Sequence, residues 1–183
     1  MKHEMRNVSG QAYGLTVLAP IVEGREDALT RHLDGLPVGD GSPLARVPGT
    51  HFARWVVIPD VVYEGAGQRH DHLKASRLLF TSNFDGPLAP YLEALRTGLG
   101  EEADAIWGHC LGYPGRGDAA AFAGWMRSHQ LGSALFFAAY GDQTVGEVHT
   151  NLDLRARVIE FALNAQGLPP EELRSSFRAR FPV

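Results

Sequence analysis

Residues 76–99, SRLLFTSNFDGPLAPYLEALRTGL, combine an apolar strand, a sharp turn and an amphipathic helix in one continuous stretch. Side chains that alternate along 76–84 predict a strand with one apolar face. The turn contains two unusual polar residues, Asn83 and Asp85, and Asp85 is expected to cap the next helix. Leucines at helical spacing between Leu88 and Leu99 predict that this helix packs against the sheet.

Further elements of the same kind lie on both sides of this stretch. Apolar or β-branched runs at 14–22 and 50–58 predict two strands, and an amphipathic run at 26–36 predicts a helix between them. Residues 103–112, ADAIWGHCLG, are interpreted as a fourth strand. The resulting βαββαβ order predicts a ferredoxin-like α+β fold, in which both helices cover one face of an antiparallel sheet. The strands at 14–22 and 77–84 are expected in its middle.

The chain is expected to form a core with an extension at each end. Residues 1–12 are interpreted as a flexible N-terminus without the apolar segment of a signal peptide, and 13–116 as the core. Residues 117–183 are predicted to form an α-β-α extension packed on the core, with a helix capped by Asp118, a strand at 133–140 and a long helix at 144–165. The apolar stripe of that long helix is expected to be buried, and includes Val148, Leu152, Ile159, Ala162 and Leu163.

Composition excludes several classes of function. The formal net charge is −4 and lysine and arginine are scattered singly, so no nucleic-acid partner is expected. No apolar run approaches the ~18 residues of a membrane helix, so no membrane partner is expected either. The single cysteine, Cys110, excludes an internal disulfide and a cysteine-based zinc cluster, and it fits a reducing cytoplasm.

Five polar residues are candidates for ligand binding: His51, Arg54, Asn83, Asp85 and His109. In a regular strand His51 and Arg54 lie on opposite faces, so only a bulge would let them act together. Since a buried Arg54 without an acid would be costly, Arg54 is expected to form a structural ion pair with an acidic partner such as Asp85 or Glu93.

Asn83 has two interpretations. It either forms a local Asx turn with Asp85, or it lines a pocket on the open face of the sheet with Thr16, Thr81 and one of His51 or His109.

Two other groups resemble catalytic or metal sites. His70-Asp71-His72 has metal-ligating side chains, but the polar sequence around it favours a solvated loop. His109 and Cys110 are neighbours whose side chains diverge on a strand, so Cys110 is interpreted as a small buried residue rather than a nucleophile. No metal site is assigned, and no known catalytic motif is present.

The predicted βαββαβ order, the open second face of the sheet and the segments THFAR (50–54) and LLFTSNFDG (78–86) resemble the dimeric α/β-barrel superfamily. Its members include small monooxygenases, haem-degrading enzymes, peroxidase-like haem proteins and modules without known chemistry. The resemblance implies a pocket on the sheet face, a homodimer and haem as a candidate cofactor. His129, the one histidine on a predicted apolar helix stripe, is expected to be packed rather than a haem ligand.

Two functions follow from these observations. The first is binding of a small, largely apolar molecule in a sheet-face pocket, as in a haem-associated or monooxygenase-like oxidoreductase. The alternative is a non-catalytic binding or assembly module, in which the same polar residues only stabilise turns and ion pairs.

Overall fold

The protein has a mixed α+β fold built on a four-stranded antiparallel sheet. A computed structural model describes residues 7–62, 65–67 and 72–181. Within these residues the strands are β1 (Val8–Ser9), β2 (Ala12–Pro20), β3 (Thr50–Ile58) and β4 (Arg77–Asp85). The spatial order is β1-β2-β4-β3. The prediction that the strands at 14–22 and 77–84 lie in the middle of the sheet is confirmed, since these are β2 and β4.

Six α-helices accompany the sheet in the described part of the chain. They are α1 (Glu26–Asp34), α2 (Leu88–Leu99), α3 (Glu101–Trp107), α4 (Ala119–Ser128), α5 (Val145–Asn164) and α6 (Pro170–Arg180). Two short 3-10 turns, Gly39–Gly41 and Pro43–Arg46, lie between α1 and β3.

The hydrophobic core lies between one face of the sheet and helices α1 to α4. Phe80 of β4 is fully buried and Leu92 of α2 is 1% exposed, as their positions in the sequence predict. Trp107 of α3 and Phe122 of α4 complete the aromatic centre, with the Trp107 ring packed edge-on against both Phe80 and Phe122. Because all these side chains lie on one side of the sheet, the opposite face is left open.

The predicted fourth strand at 103–112 is wrong. Residues Glu101–Trp107 form α3, because Ala103, Ile106 and Trp107 recur at helical spacing and are all buried on one side. Gly100, at φ 58°, ends α2 and allows the chain to turn into this second helix. Only Cys110 from the predicted strand pairs with the sheet, through an isolated antiparallel bridge to Ile21.

The strand predicted at 133–140 is also wrong. These residues include a bend at Ala134 and a turn at their C-terminal end, and they form no continuous ladder with β1, which is only two residues long. Single hydrogen bonds attach the segment instead: the Ser133 N–H donates to Asn7 Oδ1 (2.8 Å) and the Ala138 N–H to Ser9 Oγ (3.3 Å). We call residues 130–142 the arm. The predicted helix before the arm is confirmed as α4, and Asp118 Oδ1 caps it.

The chain divides into two compact units, one ending at Thr144 and the other beginning at Val145. The second unit is a hairpin of α5 and α6, in which Phe161 packs against Phe177 and Phe181. The long helix is where the sequence predicts it. Within the hairpin, α6 does not bury the apolar stripe of α5, and no residue of α5 is buried. The packing of the C-terminal extension on the core stays a prediction.

No helix in the described part of the chain combines the length and the apolar character needed to cross a membrane.

Candidate functional site on the open face of the sheet

The open face is built from three rows of residues that pair across β2, β4 and β3. The register defines an aromatic row (Gly14, Asn83 and Phe52), a polar row (Thr16, Thr81 and Arg54) and an aliphatic row (Leu18, Leu79 and Val56). The residues between these rows along each strand point into the core, since side chains alternate between the two faces. The polar row therefore lies between an aromatic and an aliphatic border.

The arm lies beside the aromatic and polar rows and forms with them a groove of about 490 Å³. The Phe136 ring lies directly over Gly14, where an added Cβ would come within 2.8 Å of the ring. Glycine is thus needed for this close approach. The groove is lined by Gly14, Leu15, Thr16, Phe52, Ala53, Arg54, Thr81, Ser82, Asn83, Ser133 and Phe136.

Arg54 provides the positive charge of the groove. Its side chain is exposed, and it forms no ion pair with another residue that the structure describes. The expected acidic partners are engaged elsewhere: Glu93 pairs with Arg96, and Asp85 contacts His51. The expectation of a buried Arg54 ion pair is wrong because Arg54 points to the open face rather than into the core.

His51 and Asp85 form a partly buried pair next to two residues of the groove lining, since His51 precedes Phe52 and Asp85 follows Asn83 by two residues, but neither lines the groove itself. Their Nε2 and Oδ1 atoms lie 2.7 Å apart, with side chains 20% and 19% exposed. The pairing register shifts between Thr50 and Phe52, so the strand has a bulge at His51. Thr50 still faces the helices, where its hydroxyl lies 3.0 Å from the Tyr91 hydroxyl. The bulge directs His51 to Asp85, which follows Asn83 by two residues on the same side of β4.

The predicted cap of α2 by Asp85 is wrong. The helix begins after Pro87, and no side chain caps it. Gly86, at φ 78°, and Pro87 separate Asp85 from the first turn, so the carboxylate remains at the end of β4.

Asn83 occupies the groove lining, at the centre of the aromatic row. Its side-chain amide forms no hydrogen bond with another residue in the described part of the chain. Of its two sequence interpretations, this position agrees with the open-face pocket that also contains Thr16 and Thr81. An amide in this position can both donate and accept a hydrogen bond to a ligand.

His109 lies apart from the other candidates, between α1 and α3. Its backbone carbonyl accepts from Val22 N–H, and its Nδ1 is buried without a hydrogen-bond partner in the described chain. Burial, together with the positive charges of Arg25 and His32, lowers the pKa of His109. The structure therefore places Arg54 and Asn83 in the groove lining and joins His51 to Asp85 beside it, whereas neither His51 nor His109 lines the groove.

The remaining polar candidates do not contribute to the groove. Burial raises the pKa of the Cys110 thiol to about 12, so the nucleophilic thiolate is disfavoured. His70 and Asp71 lie outside the described residues. His72 Nδ1 lies 2.6 Å from Asp60, whose pKa is lowered to about 2 by this hydrogen bond and by two backbone N–H groups. Among the described residues no three metal-ligating side chains converge.

Haem does not fit the groove. Its lining contains no histidine, cysteine, methionine or tyrosine that could ligate iron. The His129 ring packs at a tilt against Trp125, and its Nδ1 lies 2.9 Å from the Trp125 carbonyl oxygen. Its backbone carbonyl accepts a hydrogen bond from Leu18 N–H of β2. The expectation that His129 is a packed histidine agrees with these contacts.

The sequence interpretation missed the aromatic walls, Phe52 and Phe136, and the glycine beneath one of them. A signal was present, since a glycine inside an apolar strand often marks the close approach of another group.

No known protein family, curated protein or solved structure matches this chain.

Proposed function

We propose that the groove binds a small, largely apolar molecule that carries one acidic group. The observation behind this proposal is the exposed Arg54, which lacks an acidic partner among the described residues and shares a row with Thr16 and Thr81. A guanidinium binds a carboxylate or phosphate through two parallel hydrogen bonds. The apolar part of such a ligand would lie between Phe52 and Phe136.

We also propose that the first unit is a ferredoxin-like domain whose fourth strand has shrunk to one bridge. The order β2-α1-β3-β4-α2 supports this, with β4 between β2 and β3. Cys110 then pairs antiparallel with Ile21 on the side of β2 away from β4, where that fold has its last strand. A homodimer in the cytoplasm is part of the same proposal.

Catalysis and simple binding are the two forms that this function can take. The His51–Asp85 pair supports the catalytic form, a monooxygenase-like oxidoreductase, because a histidine held by a carboxylate can move a proton beside the groove. The protonated Cys110 and the absence of an iron ligand from the groove support the non-catalytic binding module. A flavin or Soret band in the freshly purified protein would favour the catalytic form, and a colourless protein the binding module.

A fluorescence titration with 8-anilinonaphthalene-1-sulfonate tests the ligand class, since this probe joins aromatic rings to an anion. Arg54→Gln should weaken binding about tenfold or more, because a hydrogen bond to a charged group contributes roughly 1.5–3 kcal/mol. Arg127→Gln, on an exposed arginine of α4 outside the groove, is the matched control and should bind as the wild type does. Equal affinities for all three proteins would refute the proposal.

A further inference from the structure

Helix α5 carries an aliphatic stripe that its own hairpin leaves uncovered. The stripe consists of Val148, Leu152, Ile159 and Leu163, which are 39%, 52%, 47% and 70% exposed. Helix α6 packs elsewhere on α5: Phe161 contacts Phe177, and the Arg157 guanidinium lies 5.3 Å from the Phe181 ring centre.

The stripe and the α6 contacts lie on opposite sides of α5. Val148 precedes Arg157 by nine residues, and Leu152 precedes Phe161 by the same interval. Nine residues are about two and a half helical turns, which places each pair on opposite sides of the helix. The stripe is therefore an apolar surface on the side of α5 that faces away from α6.

We propose that this stripe is the contact surface for α5 of a second copy of the chain, with the two helices antiparallel. The spacing of the stripe supports this pairing, because the intervals between its residues read four, seven and four in both directions. An antiparallel pair centred between Arg155 and Ala156 places Leu152 opposite Ile159 of the second copy, and Val148 opposite its Leu163. The surface is thus complementary to itself, as a two-fold contact requires.

Charge and area agree with a second copy as the partner. Residues 145–183 contain five arginines and five acidic residues, so the unit has no net side-chain charge that would repel a copy or attract an anionic lipid surface. The stripe leaves on the order of 350 Å² of aliphatic surface exposed on each copy. With the stems of flanking side chains, a helix about 30 Å long approaches the ~600 Å² per partner of the smaller specific interfaces.

Disulfide trapping tests the antiparallel geometry. Chains carrying Val148→Cys are mixed with chains carrying Leu163→Cys under mild oxidation, and the buried Cys110 stays unreactive. The mixture should yield a linked species of twice the 19.9 kDa chain mass, and neither variant alone should do so. Positions 148 and 163 are about 22 Å apart along one helix, far beyond the Cα separation that a disulfide spans. Linkage in Val148→Cys alone, or none in the mixture, would overturn the proposal.

A charge introduced into the stripe separates this interface from one on the open sheet face. Leu152→Glu should convert the dimer into a monomer in analytical ultracentrifugation at micromolar concentration. Leu135→Glu places the same charge on the arm, where the wild-type side chain is 79% exposed, and should leave the dimer intact. Circular dichroism confirms that both variants fold. The opposite pattern, or a wild-type chain that sediments as a monomer, would contradict the α5 interface. Because Leu152→Glu alters no groove residue, this variant should still bind the fluorescent probe. A wild-type protein that does not bind the probe would refute the ligand site but not the α5 interface.

Discussion

At the scale of single residues, the bulge at His51 determines which polar groups reach the open face. A regular strand would place His51 and Arg54 on opposite sides of the sheet. The register shift between Thr50 and Phe52 instead directs His51 to Asp85 while Arg54 remains in the polar row. One additional residue in β3 thus places a histidine–carboxylate pair on the side of the sheet that also carries Arg54, whose guanidinium has no ion-pair partner among the described residues.

The Cys110 thiol offers a second test at this scale. Its side chain is 4% exposed and its pKa is raised to about 12 by burial. A thiol reagent such as dithionitrobenzoate should therefore not label the folded protein at pH ~8, because the thiolate is scarce and the sulfur is inaccessible. The same protein unfolded in guanidinium chloride should react with one equivalent of the reagent. Rapid labelling of the folded chain would show that the Cys110–Ile21 bridge is open in solution.

At the scale of elements, the sequence predicts correctly those segments whose hydrophobic periodicity fits either a helix or a strand but not both. Strand β4 alternates along nine residues and α2 carries a continuous apolar stripe, so both were predicted close to their observed bounds. Residues 103–107 form a short apolar segment whose spacing alone does not separate a helix from a strand, and the burial of Ala103, Ile106 and Trp107 together on one side shows the helix. The arm has the composition of a strand, but β1, which it contacts through Ser9, is only two residues long and offers no continuous ladder. The groove was predicted in part, because Thr16, Thr81 and Asn83 share a face by alternation, whereas Phe136 reaches it from a distant segment.

Phenylalanine substitutions on the two faces of the sheet test the register of β3 and β4. Phe80→Ala should destabilise the protein by about 3–5 kcal/mol, since it empties a fully buried site beside Trp55 and Trp107. Phe52→Ala removes the same group from a position that is 75% exposed, and should change the free energy of unfolding by no more than about 0.5 kcal/mol. Urea denaturation measures both. Similar costs for the two variants would show that the assignment of faces is incorrect.

At the scale of the whole molecule, the two units have separate tasks in this account. The first unit, through Thr144, contains every residue of the hydrophobic core and all of the groove. None of the described residues of the second unit belongs to either, and its aliphatic stripe is proposed to associate with a second copy. Ligand binding and dimer formation are therefore expected to respond to different substitutions.

The location of the bound ligand tests the central claim most directly, because the exposed apolar helices offer the probe a competing site. An amide-resolved NMR titration with 8-anilinonaphthalene-1-sulfonate should shift the backbone signals of Gly14, Thr16, Thr81 and Asn83, which line the groove. The signals of Phe161 and Phe177, in the α5–α6 hairpin, should stay in place. Shifts confined to the hairpin, with the four groove amides unchanged, would contradict a binding site on the open face of the sheet.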